Sequence, residues 1–204
     1  ALIKKDVKLF IREPVQWTQV IIVVALIIVY IFSIMKLPIE FNYVRTTVAF
    51  FNIGSIMFII TAMVLRFVFV QPSIEYKMFW ILKSAPISLY KIFLSKIKLF
   101  LPVLLLVGWG MVTISNLVLR VDKIIFVLGF IVVTVAVIVL TMAGYSLGIL
   151  FPKTEYQNIA QVETSFGGLM YVVLSLWYII LSINFFEYYV SQKEFRIGGL
   201  MRRI

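Results

Sequence analysis

Five stretches of this chain, residues 16–35, 46–70, 99–119, 124–150 and 162–186, are long and apolar enough to cross a bilayer. A hydrocarbon core about 30 Å thick takes about 20 helical residues. Inside lipid every backbone N–H and C=O must be satisfied within the structure, so runs of this kind must be helices. The dyad alternation of a membrane barrel is absent. The sequence therefore predicts an all-α fold, a polytopic membrane helix bundle of five spans in a single transmembrane domain over residues 1–204. Its hydrophobic content of 63% lies well above the roughly 45–50% of soluble domains.

The remaining segments are polar or amphipathic. In residues 1–13, Ile3, Val7, Phe10 and Ile11 form an apolar stripe opposite Lys4, Lys8 and Arg12. This is the pattern of a helix lying flat at the interface, and Pro14 breaks it before the first span. Residues 73–85 form a second such helix. At 100° per residue Ile74, Met78, Ile81, Leu82 and Ala85 share a face, while Glu75, Lys77 and Lys83 point elsewhere with Tyr76 and Trp80 among them. Ser73 stands at the N-cap position and Pro86 stops the helix. A short helix held at the membrane surface between two spans is a handle for a soluble partner. Residues 187–204 make a basic tail.

The formal charge is +10, from 19 Lys plus Arg against 9 Asp plus Glu. In a membrane protein such residues flank the spans and meet anionic lipid headgroups, so the charge points to lipid and not to nucleic acid. The basic residues are also unevenly placed. Lys4, Lys5, Lys8, Arg12, Lys77, Lys83, Lys91, Lys96, Lys98 and Lys153 fall on one side, against Lys36, Arg45, Arg120 and Lys123 on the other. The positive-inside rule then puts the N-terminus and residues 73–85 in the cytoplasm, as for a multi-pass protein of the cell (inner) membrane. Five spans leave Lys193, Arg196, Arg202 and Arg203 outside, against the rule, and from this a sixth span beyond the sequence is expected.

The chain has no cysteine and no histidine, which excludes disulfides and any metal site built on those ligands. There is no GxxxxGK[ST] motif for nucleotide phosphates, and no pair of carboxylates at mid-membrane. No catalytic residue is identified. Arg66 is the basic residue within a predicted span; it either snorkels to the headgroups or pairs with Glu75 or Glu163. Asn52 and Asn116 are expected to make interhelical hydrogen bonds. Gly108, Gly110, Gly144, Gly148, Gly167 and Gly168 permit close helix approach, with Gly144 and Gly148 four apart.

Arg66, then Glu75, Phe79, Trp80, Leu82, Lys83, Ser84, Ala85, Pro86, Ile87 and Ser88, then Lys91 and Lys96, resemble the permease subunits of ABC-2 type exporters. Those chains carry an acidic residue, a W-x-L-x-S-x-P stretch and basic residues between their second and third spans. The opening KKDVKLFIREPVQW resembles the family's elbow helix, and residues 148–168 resemble the connection before its fifth span. The resemblance implies that residues 73–85 are a coupling helix whose partner contacts are Glu75, Tyr76, Phe79, Trp80, Leu82, Lys83 and Pro86. It also implies a nucleotide-binding ATPase subunit that carries ATP and Mg, with no cofactor in this chain, and a second permease half or copy. The family has six spans per half, so a five-span chain reads as one half or a truncated one. Two other functions stand beside the exporter at this point. One is a membrane scaffold or sensor without a transport path. The other is a secondary carrier or channel, which the lack of acids in the spans disfavours.

Overall fold

The computed structural model describes residues 14–36, 42–76, 89–121 and 123–201. Its elements are α1 (Pro14–Met35), α2 (Asn42–Val64), a π-helical segment (Leu65–Phe69), α3 (Gln71–Tyr76), α4 (Leu89–Leu119), α5 (Lys123–Leu150), the short α6 (Ala160–Glu163) and α7 (Phe166–Met201). Among the described residues, five helices are long and apolar enough to span a membrane: Trp17–Met35, Val48–Tyr76, Phe93–Leu119, Lys123–Leu150 and Phe166–Phe186. The all-α, five-span architecture is that of the sequence reading.

The second span is the pole of the bundle. In its most apolar window 72% of residues are buried, against 22% in each of the first and last spans. The pole packs against α4, α5 and α7, and more lightly against α1. Lipid supplies no hydrophobic force to drive helices together, so close approach depends on small residues and polar contacts. Gly54 lets α7 in: a Cβ there would come 2.6 Å from Ile183 Cδ1. Gly108 serves the α4–α5 contact in the same way, with Val133 Cγ1 at 3.1 Å. Gly110, by contrast, faces open space among the described residues. On α1, Gln19, Val23, Tyr30 and Ile34 are buried on one stripe, while Ile21, Val29 and Phe32 are exposed. The exposed apolar side chains of α1, α4 and α7 are the expected lipid-facing surface.

Several expected boundaries move. The third span was expected at residues 99–119 with Pro102 in its first turn. The helix instead starts at Leu89, and Pro102 lies inside it. The lysines ahead of residue 99 thus sit on helix, with Lys91 and Lys98 exposed and Lys96 buried. The tight turn after α4 has Arg120 at φ 48°, a left-handed residue of the kind that ends helices, and the Val121 N–H returns to Asn116 O at 3.4 Å. The fifth span, expected over residues 162–186, is split: α6 ends at Glu163 and α7 begins at Phe166. The tail was expected as a separate segment, but α7 runs 36 residues to Met201. That is about 54 Å of helix, well over the bilayer core. The interfacial helix of residues 1–13 lies outside the described residues.

Candidate coupling end of the bundle

The expected coupling helix begins inside the second span. The sequence puts Pro72 between the span and this helix, with Ser73 as N-cap. Instead the helical course runs through both. Val70 keeps helical dihedrals (φ −75°, ψ −19°) and the Ile74 N–H returns to Val70 O at 3.1 Å. Proline inside a helix lacks the N–H for the carbonyl four residues back and crowds it. The wider π turn at Leu65–Phe69, immediately upstream, accommodates that without ending the helix. Ser73 is therefore not a cap. It is buried, and its hydroxyl accepts from the Lys153 N–H at 3.1 Å.

Glu75 follows two residues on, and Lys96 of α4 is its ion-pair partner. Lys96 is only 4% exposed, so the carboxylate is what makes burial of the ammonium tolerable. Arg66, for which the sequence leaves snorkelling, Glu75 and Glu163 all open, lies on the π segment, more than two helical turns from Glu75 along the chain. Tyr76, the last described residue of α3, is exposed. Phe79, Trp80, Leu82, Lys83 and Pro86 lie outside the described residues.

Glu163 closes the other side of this end. Gln19 Nε2 of α1 donates to Glu163 Oε1 at 2.9 Å. Burial pushes the Glu163 carboxyl above its ordinary range, and the positive charge of Arg66 partly offsets that. Lys153 Nζ donates to Gln161 O at 3.2 Å, tying the loop between α5 and α6 to α6.

Phe69 sits where these elements converge, and nothing in the sequence pattern singled it out. It is fully buried and stacks on Tyr171 of α7, with ring centroids 6.4 Å apart at 20°. Three glycines admit it or its neighbours. A Cβ at Gly148 would collide with the Phe69 carbonyl and lie 3.1 Å from Pro72 Cγ. One at Gly144 would collide with Val64 Cγ1 and meet Tyr171 Cε2 at 3.3 Å. One at Gly167 would lie 2.6 Å from Phe151 Cβ and 3.2 Å from Phe69 Cζ. Gly168 differs, because its obstacle is the Glu163 carbonyl at the turn between α6 and α7. The Gly144/Gly148 pair thus seats α5 on the π segment of the pole, within one chain.

The arrangement holds no metal-ligating cluster among the described residues. Chemically it is a set of rigid ties: the π segment is fixed to α5 by glycine contacts, α3 to α4 by an ion pair, α3 to the loop after α5 by a hydrogen bond, and α1 to α6 by another. Any force applied to α3 is transmitted to the pole along continuous helix. No curated protein and no solved structure matches the chain. A family model described as "Putative ATP-binding cassette" matches residues 1–195. With nearly the whole chain covered, this five-span membrane protein belongs to that ATP-binding-cassette-related family.

Proposed function

We propose that this chain is the membrane-spanning permease part of an ATP-driven exporter, and that residues 73–85 dock on a separate nucleotide-binding subunit. The family's description names ATP binding, whereas this sequence has no GxxxxGK[ST] loop to hold nucleotide phosphates. The two are reconciled if the ATP site belongs to a partner, with ATP and Mg bound there. The observation that carries the reading is the helical continuity of the second span from Val48 to Tyr76. The amphipathic segment that starts at Ser73 is not hung on a loose linker. Its described residues, 73–76, extend the most buried helix of the bundle, as a mechanical input to a translocation path requires. In this reading the N-terminus and residues 73–85 are cytoplasmic, the membrane is the cell membrane, and a second half or copy completes the path.

The test is purification of the chain from its native membrane and assay of any P-loop ATPase that accompanies it. The expected result is co-purification and stimulated turnover, both weakened by Trp80→Ala. Buried aromatic anchors at interfaces commonly contribute about 2 kcal/mol or more, about thirtyfold in affinity. Full retention of the ATPase with unchanged stimulation by the Trp80→Ala protein would remove the docking role. The absence of any ATPase would favour a membrane scaffold.

A further inference from the structure

The π turn at Leu65–Phe69 holds one residue more than an α-helix would use to cover the same stretch. Upstream of it, Val64 lies against Gly144 of α5. Downstream, the Phe69 carbonyl sits against Gly148 of the same helix, Ser73 Oγ accepts from the Lys153 N–H, and Glu75 pairs with Lys96 of α4. A plain α-helix over these residues would carry everything after the turn round by about 100°, and forward by about 1.5 Å, relative to Val64. Ser73 and Glu75 would then leave their partners, and the Phe69 carbonyl would leave Gly148. The extra residue therefore sets which way α3 faces. One hydrogen bond beside the turn is unmade in this arrangement. Tyr171 of α7, whose ring stacks on Phe69, lies with its hydroxyl beside Thr61 of α2. Among the described residues neither Tyr171 Oη nor Thr61 Oγ1 has a hydrogen-bond partner, although both side chains are buried. Buried hydroxyls ordinarily find one. The stack on Phe69 holds the Tyr171 ring in place, so turning Phe69 away frees Tyr171 to donate to Thr61.

We propose that the π turn is a two-state rotary joint. Its extra residue is taken up into α-helix, α3 turns about the axis of the second span, and a Tyr171–Thr61 hydrogen bond replaces the ties that α3 gives up. Pro72 holds the joint in its π form, because it has no N–H for the carbonyl of Val68 four residues back. Such turns inside α-helices recur at functional sites. The joint rests on packing within one chain, and its test involves no partner, so its failure and the failure of the permease reading are separate results.

Dipolar EPR on the full chain in phosphatidylcholine–phosphatidylglycerol nanodiscs tests this, with spin labels at Tyr76→Cys and Leu150→Cys in a chain that has no other cysteine. A turn of about 100° at the roughly 5 Å radius of helix side chains moves the label at position 76 by about 8 Å. The labelled chain is expected to show one main distance. Lys96→Leu, which releases α3 from α4, and Pro72→Ala, which restores an N–H for Val68 O, are each expected to bring up a second distance. Deletion of Leu65 leaves no extra residue to take up, so one distance is expected even when Lys96→Leu is added. Tyr171→Phe is expected to keep or raise Tm, since its hydroxyl is unbonded in the π form. It is also expected to shrink the second population of Lys96→Leu about fivefold, the effect of one ordinary hydrogen bond. A single distance in both Lys96→Leu and Pro72→Ala would overturn the joint, and so would a second distance that survives deletion of Leu65. A lower Tm in Tyr171→Phe would place the hydrogen bond in the π form and overturn the exchange. If the Leu65 deletion fails to fold, the Tyr171→Phe comparison decides, and an undiminished second population overturns the proposal.

Discussion

The backbone carbonyl of Phe69 occupies the position that the first side-chain carbon of any residue but glycine would need at Gly148. A π turn of the central helix and the end of α5 are thereby in backbone contact. Backbone cannot swing aside as a long side chain can. Gly148→Ala is therefore expected to destabilise the bundle by about 1–3 kcal/mol, the usual cost of overpacking. Gly110→Ala, with nothing within 4 Å of its Cβ, should be neutral or stabilising by up to about 1 kcal/mol through helix propensity. Thermal unfolding of the two variants in one detergent checks the contrast. Equal effects would show that the glycines act through propensity and not through contact.

The Glu75–Lys96 pair predicts an asymmetry. Glu75→Ala leaves a 4%-exposed ammonium without its carboxylate, a loss of about 3–5 kcal/mol for a buried pair broken on one side. Replacing both residues by leucine should recover most of it, because the uncompensated charge is gone. Stability of the single and double variants measures this. A double variant no better than Glu75→Ala would mean that the pair matters for shape and not for charge.

Glu163 gives a pH dependence. Burial raises its carboxyl above the ordinary value of 4.5, so the folded state holds the proton more tightly than the unfolded state. Stability from this group is fully present below the ordinary value and is lost as pH rises through the raised one. Against Glu163→Gln, the unsubstituted protein should lose stability across that window. The loss should grow in Arg66→Gln, where the offsetting positive charge is absent. Unfolding of the three proteins over a pH series is the check. A gain in the stability of the unsubstituted protein relative to Glu163→Gln as pH rises would contradict burial as the dominant influence.

The orientation rests on the uneven placement of lysine and arginine. Since the chain has no cysteine, Trp80→Cys and Glu40→Cys each give a clean single-site probe. In intact cells an impermeant thiol reagent is expected to label position 40 and spare position 80. The reverse pattern would invert the topology, and with it the cytoplasmic docking of residues 73–85.

The sequence by itself determined that the chain is a helical membrane bundle with five stretches long and apolar enough to span, since long apolar runs admit one backbone solution in lipid. Span length and composition are local properties, so the order of spans could be read directly. Gly144 and Gly148 were also legible as a close-packing pair, since only spacing is needed to put two small residues on one helix face. What they pack against was not. Only the tertiary structure decided that Phe69 fills that place, that Lys96 rather than Arg66 answers Glu75, and that Gln19 reaches Glu163. These partners lie 21 and 144 residues apart in the last two cases, and no local pattern encodes distance in space. Pro72 is the instructive error. Read locally, a proline followed by serine ends one helix and starts another. In the bundle, a π turn absorbs the missing N–H, and packing of Phe69 and Pro72 against Gly148 holds the helix through the break.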